Sequence, residues 1–479
     1  MNTEEITLPA GMQEKYEEAK NLILESSSIQ VYSHIDCDGM CAGAIISTVL
    51  DRLGKKHDLD FVNLNELEDI PITHDLTIFT DLGSGQPVDK NAGKDSKIII
   101  LDHHPPLRSI DYNDSVDYTY LEVNPMFYGI DGSDNVSGGG LSYFLARTFD
   151  YKDLSWIGVL SAVGDMQNSK TGKLVGLNRI ILKDSVDSGY VKCNSDLCLY
   201  GRETRPLFVA MAYFSDVNLP ITNNRNEAIA VLDELGIPHK TDDGRQRTLC
   251  DLSNMEKGEL FSELVRMMSK VVPERYVKYI PKLVSADSYD FLYEDNHTFL
   301  RDASEFSTAM NACGRNQEYG VACEILKGNR SDALDALEVV SKTHKMNLRQ
   351  SIEKVTEESS IIELDNLQYF NGSGIGVTSI GTISGMILSQ GNWRKPIIGL
   401  APISDENPDW KISLRCSRLL AFDGIHFGNI IREVSQSLGG NGGGHSVACG
   451  AYIPYDKKDE FLNLFNEKLE GKIDKGGQL

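Results

Sequence analysis

No apolar stretch of this 479-residue chain approaches the ~18 residues that a membrane-spanning helix requires. Its opening residues, MNTEEITLPAGMQEKYEEAK, lack the basic-then-apolar order of a secretory signal. A cytoplasmic protein without membrane partners is therefore expected. Paired cysteines are missing as well. The nine cysteines are an odd, scattered set without C-x-x-C spacing, which argues against a zinc ribbon or a disulfide framework and for reduced, buried thiols. There is no excess of positive charge: 47 Lys and Arg stand against 70 Asp and Glu, a net charge of −23. Phosphate binding rests on Lys and Arg, so this balance disfavours indiscriminate coating of nucleic acid. A local basic groove can still operate, because charges are screened beyond ~8 Å at physiological ionic strength. The G-x-x-x-x-G-K-[S/T] pattern of a P-loop is also absent.

What is present is a globular composition, 41% apolar and 24% charged. At roughly 150 residues per domain, the length corresponds to three domains or two large ones. Residues 1–190 alternate strand-like segments (SIQVYSH, LDFVNLN, DLTIFTDLG, SKIIILDHH, DYTYLEVNP) with helix-like ones. That alternation predicts a parallel α/β sheet. Residues 191–345 carry mostly helical spacing and read as a helical inserted region with a connecting helix, running on through SDALDALEVVSKTHKMNLRQSIEKVTEESS. From 346 to 479 strands return as IIELDNLQYF, IGVTSIG, KPIIGLAPI, WKISLRCS and SVACGAYIP, with two helices between them. This is a smaller C-terminal α/β domain, and a cleft between the two α/β modules is expected to hold the active site.

Four polar clusters sit at the ends of apolar elements in the first domain. They are His34, Asp36 and Asp38 in SHIDCDG, Asp81 in FTDLGSG, Asp102, His103 and His104 in LDHHPP, and Asp165 in VGDMQN. Alternate positions on a strand share a face, so the first triad is expected to converge on one side. In a parallel sheet, ligands bind beyond the carboxyl ends of the strands. Crowded carboxylates raise one another's pKa unless cations neutralise them, and carboxylate and imidazole donors suit Mn²⁺ or Mg²⁺. Two such ions ~3.5–4 Å apart form a clamp for phosphoryl displacement. Each piece alone also has a bland reading. Asp38 or Asp165 could simply cap a helix, and the two histidines could be a solvated turn.

The glycine-rich SLGGNGGGHSVACG, residues 437–450, permits close approach of backbone to a ligand and can cradle an anion. Gly442, Gly443, Gly444 and His445 lie in it, with Arg415 and Arg418 in the preceding ISLRCSR. An ordinary loop is the alternative reading.

Taken in order, SHIDCDG, DLGSG, LDHHPP, VGDMQN and GGNGGGHSVACG span residues 33–450, and together they resemble the DHH phosphoesterase superfamily. Within it the chain is most similar to archaeal RecJ-like single-strand exonucleases of the GINS-associated type. The resemblance implies a DHH parallel-sheet domain, the helical insertion, and a DHH-associated C-terminal domain. It implies two divalent ions, Mn²⁺ before Mg²⁺, one on His34, Asp36 and Asp81 and one on Asp38, Asp81, His103 and Asp165. It further implies that His104 contacts the scissile phosphate, that Asp102 orients His103, and that Arg415, Arg418, His445 and the glycine run (Gly442, Gly443, Gly444) grip the substrate. Cys37 replaces the small residue common between the two aspartates, and is expected to face away.

The function so implied is a metal-dependent exonuclease on single-stranded DNA or RNA, in replication or repair. An alternative is a replisome scaffold that binds the GINS complex and the replicative helicase, with incidental hydrolysis. A small-oligonucleotide phosphodiesterase is the third reading.

Overall fold

Buried apolar residues on both faces explain why the first strands read as near-continuous apolar runs. In register across the sheet, Val31, Ile78 and Ile99 face one core, while Tyr32, Phe79 and Ile100 face another. The computed structural model describes residues 6–358, 361–404 and 409–473, so the last two residues of the expected helix 331–360 lie outside the described residues. Two compact units emerge: Met1–Asn194 with Asp287–Lys342, and Ser195–Ala286 with Thr343–Leu479.

Unit 1 is built on a wholly parallel sheet of order β2-β1-β3-β4-β5. Its strands are β1 (Ser28–His34), β2 (Lys56–Val62), β3 (Leu76–Thr80), β4 (Lys97–Leu101) and β5 (Thr119–Val123). The order reverses between β1 and β3, which opens a crevice at their carboxyl ends. Helices α1 (Cys37–Arg52), α2 (Gly138–Thr148), α3 (Ser155–Gly164) and α4 (Ala303–Arg315) share the larger core with that sheet. The expected inserted region 191–345 is thus shared between the units: 195–286 belong to unit 2, and 287–342 complete unit 1. It is also not purely helical. Strands β6 (Val191–Leu197) and β7 (Ser285–Phe291) form a two-stranded sheet. Their polar residues and wide separation in sequence hide them from pattern reading. A long helix, α5 (Asp332–Glu358), follows.

Unit 2 carries a mixed sheet of order β12-β13-β11-β10-β9-β8. Its strands are β8 (Ile362–Glu363), β9 (Gln368–Asn371), β10 (Ile397–Pro402), β11 (Trp410–Arg415), β12 (Asn441–Gly444) and β13 (Ala448–Ile453). Pairing is antiparallel except between β9 and β10. Helices α6 (Ile380–Ile387) and α7 (Phe427–Ser437) pack on it. Two expectations change here. IGVTSIG is not a strand: Ile375 N–H donates to Gly372 O at 2.9 Å and Ser379 N–H to Gly376 O at 2.8 Å, so the segment turns into α6. The glycine run is not a free loop, because residues 441–444 form the edge strand β12. Among the described residues, no helix is long and apolar enough to cross a membrane.

The glycines of β12 have a steric reason. Helix α7 lies so close that a Cβ on Gly428 would stand 1.9 Å from the Gly444 carbonyl oxygen. The variant Gly428→Ala must push α7 away from β12, and overpacking of this kind costs about 1–3 kcal/mol. Urea unfolding followed by circular dichroism should therefore show a lower midpoint. An unchanged midpoint would mean that the close seating of α7 is not needed.

Candidate metal centre

The first motif folds differently from an alternating strand. Strand β1 stops at His34, and Asp36 becomes the N-cap of α1, its Oδ1 accepting the Gly39 N–H at 3.0 Å. Asp38 lies in the first turn of α1. The three side chains still gather, because the turn closes tightly: a Cβ on Gly39 would lie 2.2 Å from the His34 carbonyl oxygen. His34 Nδ1 comes within 3.2 Å of Asp36 Oδ2 and 3.4 Å of Asp81 Oδ2. Cys37 faces away, its Sγ 2.5 Å from where a Gly164 Cβ would sit.

Asp38 is fully buried and accepts backbone N–H bonds from Gly138 and Gly139, both at 2.8 Å, and a bond from the Ser161 hydroxyl. Its carboxylate thus rests on the N-terminus of α2, where the helix dipole favours negative charge. Asp81 follows β3 with a positive φ of 59°, a strained setting for a non-glycine residue that recurs at functional sites. Its backbone N–H is tied to Leu101 O at 2.9 Å. His103, after β4, places Nε2 at 3.2 Å from Asp81 Oδ1 and 3.5 Å from Asp38 Oδ2. Asp165, at the C-terminus of α3, accepts a bond from the Gln167 side-chain amide at 2.8 Å.

Three donor groups result, His34, Asp36 and Asp81, then Asp38, His103 and Asp165, and a third of Asp81, Asp102, His103 and His104, the ligand atoms of each lying within 4.8 Å of one another. Asp81 offers one oxygen to each side. The structure thus brings together all six residues expected to hold metal. A physical test of the fit is which polar atoms are left over. His34 Nδ1, both Asp81 oxygens and His103 Nε2 are buried without a hydrogen-bond partner. Buried polar atoms are normally satisfied, and these four are good donors for hard or borderline divalent cations. The residues fit a pair of such ions.

One expected role moves. Asp102 does not orient His103; the Gly132 carbonyl does, accepting from His103 Nδ1 at 2.8 Å. Asp102 instead holds His104, its Oδ1 at 2.8 Å from His104 Nδ1, while Oδ2 accepts the Ser84 N–H at 2.9 Å. The two rings lie together, their centroids 4.3 Å apart, but His104 and Ser84 already occupy the two Asp102 oxygens. Gln167 joins the support, donating to Gly132 O at 2.9 Å and accepting from Asn178 at 2.6 Å.

The electrostatics carry the strain of this crowding. Burial, then Asp81 and Asp165, push the Asp38 carboxyl well above its usual range. Burial would lower both imidazoles. Asp36 and Asp81 around His34, and Asp165, Asp81 and Asp38 around His103, outweigh it and raise both well above the ordinary value. Loss of hydration would raise the pKa of Asp36 and Asp102, but the imidazoles of His34 and His104 respectively hold each well below normal.

Sequence reading missed the contribution of α4. Asn311 Oδ1 accepts the Cys37 N–H at 3.0 Å, and a Cβ on Gly314 would lie 2.0 Å from the Ile35 carbonyl oxygen. Arg315, one residue on, is largely desolvated, which lowers its pKa, while the nearby Asp36 charge opposes that shift. The only signal was Asn, Gly and Arg at i, i+3 and i+4 of an otherwise ordinary helix, one face by spacing.

In unit 2, Arg415 ends β11, and His445 opens the turn between β12 and β13, its N–H bonded to Ala448 O at 2.9 Å. Gly442, Gly443 and Gly444 pair with Ala451, Gly450 and Cys449. Arg418, expected beside Arg415, is committed elsewhere. Its guanidinium holds Asp216 Oδ2 at 2.9 and 2.6 Å and the Leu283 carbonyl at 3.2 Å, a mostly buried pair that ties α7's neighbourhood to the 195–286 segment of the same unit.

Because the surrounding carboxylates raise the affinity of His34 and His103 for protons, a bound cation competes with protons there, and Mn²⁺ binding should release protons and weaken as the pH falls. Titration calorimetry in two buffers of different protonation enthalpy measures this. Asp81→Asn should weaken binding beyond the ~10–100-fold typical of supporting residues. Wild-type affinity in that variant would sink the bridging role.

Comparison with known proteins gives a consistent picture. Residues 199–281 match the DHH-CID domain and residues 366–471 the DHHA1 domain. The uncharacterized protein MJ0831 of Methanocaldococcus jannaschii is 30% identical over 447 residues, 92% of each chain. Among solved structures, CDC45 from Entamoeba histolytica aligns over 95% of this chain and 98% of its own, with a TM-score of 0.59 and 15% identity. RecJ from Thermus thermophilus, solved with Mn²⁺, aligns over 97% of this chain and 55% of its own, with a TM-score of 0.55 and 14% identity. These two likenesses are of fold. The chain belongs to the DHH family, with a DHH-CID domain followed by a DHHA1 domain.

Proposed function

We propose that this protein is a two-metal phosphodiesterase that removes nucleotides from an end of single-stranded DNA or RNA, in DNA replication or repair. One observation carries the reading: the buried, unpartnered His34 Nδ1, Asp81 Oδ1 and Oδ2, and His103 Nε2 converge at the carboxyl end of the sheet. A donor set left unsatisfied by the protein itself suits cations. Mn²⁺ is the first expectation and Mg²⁺ the second. His34, Asp36 and Asp81 would hold one ion, and Asp81, Asp38, His103 and Asp165 the other. Bound there, the pair would polarise a phosphate and acidify the attacking water.

The chain's own groups do the rest. Asp102 fixes the His104 ring through Nδ1, which leaves Nε2 for a phosphate oxygen, and the half-exposed side chain is accessible to substrate. Ser84 holds Asp102 in place, and Gln167 and the Gly132 carbonyl hold Asp165 and His103. Arg315 adds positive charge beside Asp36. In unit 2, Arg415, His445 and the Gly442–Gly444 strand supply a surface for the substrate backbone.

A second reading has its own support. The DHH-CID match and the fold likeness to CDC45 over nearly both whole chains favour a scaffold that binds the GINS complex and the replicative helicase. The test uses single-stranded DNA and RNA labelled at either end, with Mn²⁺. Progressive shortening from one end, reduced about 10³-fold or more in Asp81→Ala (at least ~4 kcal/mol of barrier), is the expected result, and it reads out polarity and sugar preference. Cleavage of dinucleotides alone would favour the small-oligonucleotide reading. No cleavage, with Mn²⁺ bound, would shift the assignment to the scaffold.

A further inference from the structure

Buried and half-buried cations in this acidic protein are matched to carboxylates with regularity. Arg202 and Lys257 share Asp196, Arg418 holds Asp216, Arg247 holds Glu256, Arg330 holds Glu294, and Arg108 holds Asp89. Lys411 breaks the pattern. It lies on β11, half-buried, and among the described residues it has neither an ion pair nor a hydrogen bond; its Nζ rests 4.0 Å from the centroid of the Tyr452 ring. Burial, with Arg415 nearby, brings its amine down to about 8. A desolvated ammonium without a counter-ion is costly to maintain, and here 70 acidic residues were available to relieve it.

Its surroundings explain what such a group could meet. Lys411, Ser413 and Arg415 alternate along β11 and so share one face of the sheet. Across from them on β13 stand Tyr452, Gly450 and Ala448, and beyond Gly450 on β12 stands Gly443. That face is paved with glycine. A Cβ on Gly450 would approach Lys411 Nζ at 3.5 Å, and one on Gly443 would meet Arg432 Nη2 at 3.0 Å, while at the other end Gly381 of α6 lies against Arg415. Arg432, reaching over β12 from α7, also has no side-chain ion pair or hydrogen bond among the described residues. Tyr452 is 48% exposed, so its ring carries Lys411 and still presents surface to solvent.

We propose that Lys411 and Arg432, with the Tyr452 ring between cation and solvent, form a phosphate-and-base subsite that extends the substrate surface of unit 2 away from Arg415, so that the protein holds a polynucleotide strand rather than a single terminal nucleotide. Lys411 and Arg415 are four residues apart, about 13 Å of strand, which exceeds one internucleotide step, so the two cations would hold non-adjacent phosphates of an extended strand. Unpartnered cations supply the electrostatic hold, glycines let the backbone of a strand lie close, and an exposed aromatic ring stacks a base without regard to sequence. This inference rests on the proposal that the ligand is single-stranded nucleic acid.

The test measures fluorescence anisotropy of labelled oligonucleotides with the full chain, comparing wild type with Lys411→Met, Arg432→Met and Tyr452→Leu. Loss of either cation should weaken binding of a long single strand about ten-fold, the loss of one charge-assisted contact. It should also flatten the plot of log affinity against log salt by about 0.7. Dinucleotide binding should be unchanged. Lys411→Arg should restore the long-strand affinity, and circular dichroism distinguishes a binding defect from misfolding. Wild type that binds long strands but does not cleave them would overturn the nuclease reading and leave this subsite standing. Wild type that cleaves, with Lys411→Met equal to it in affinity and salt slope, would overturn the subsite alone. Wild type that binds no strand would overturn both.

Discussion

Carboxylates brought together out of water repel one another, and the whole of unit 1 around the centre is arranged to contain that repulsion. Two unit charges 4 Å apart interact by roughly 4 kcal/mol at the effective dielectric of a protein site, and Asp36, Asp38, Asp81 and Asp165 gather at one centre. The chain answers with neutral donors. The N-terminus of α2 and the Ser161 hydroxyl take Asp38, Gly39 N–H takes Asp36, and Gln167 takes Asp165. Asp81 has a hydrogen bond on neither oxygen and faces only the imidazoles, His34 Nδ1 at 3.4 Å and His103 Nε2 at 3.2 Å. The arrangement is thus complete except at the atoms that face the two imidazole donors, which is where added positive charge does most.

Close backbone approach is the second requirement, because the ligands come from segments distant in sequence. Glycine meets it at four places. A Cβ would lie 2.2 Å from His34 O at Gly39, 2.0 Å from His103 O at Gly132, 2.5 Å from the Asp81 Cβ at Gly138, and 2.0 Å from Ile35 O at Gly314. Three of these contacts join segments distant in sequence, and Gly39 closes the turn that follows His34. These glycines position ligands as directly as the hydrogen bonds do.

This explains what could be read from the sequence and what could not. The parallel sheet and its polar ends were legible, because His34, Asp81 and the Asp102–His104 run each follow a short apolar strand, and the switch in strand order brings those ends together. The route taken by Asp36 and Asp38 was not. Alternation suggested a strand, but a capping aspartate starts a helix instead, and both geometries happen to deliver the same side chains. The partner of Asp102 was misassigned because sequence cannot say which of two adjacent rings turns toward it. The glycine run looked like a loop, since its β pairing depends on α7 lying against it. Arg418 looked like a substrate residue until Asp216, some 200 positions earlier, was seen to occupy it. The role of α4 was invisible for the same reason: its partner, the turn after β1, lies about 270 positions upstream.

That last contact has a consequence for how the molecule is made. Unit 1 is discontinuous, and Gly314 and Asn311 wall in a turn formed by the first forty residues. The ribosome must therefore synthesise the whole 195–286 excursion before the early sheet can receive its final helix. Until then the turn that carries Asp36 and Asp38 lacks one of its walls, although all six ligand residues, 34 to 165, have already emerged. Domains usually fold as contiguous units during synthesis. Here the order of emergence and the order of completion are opposed.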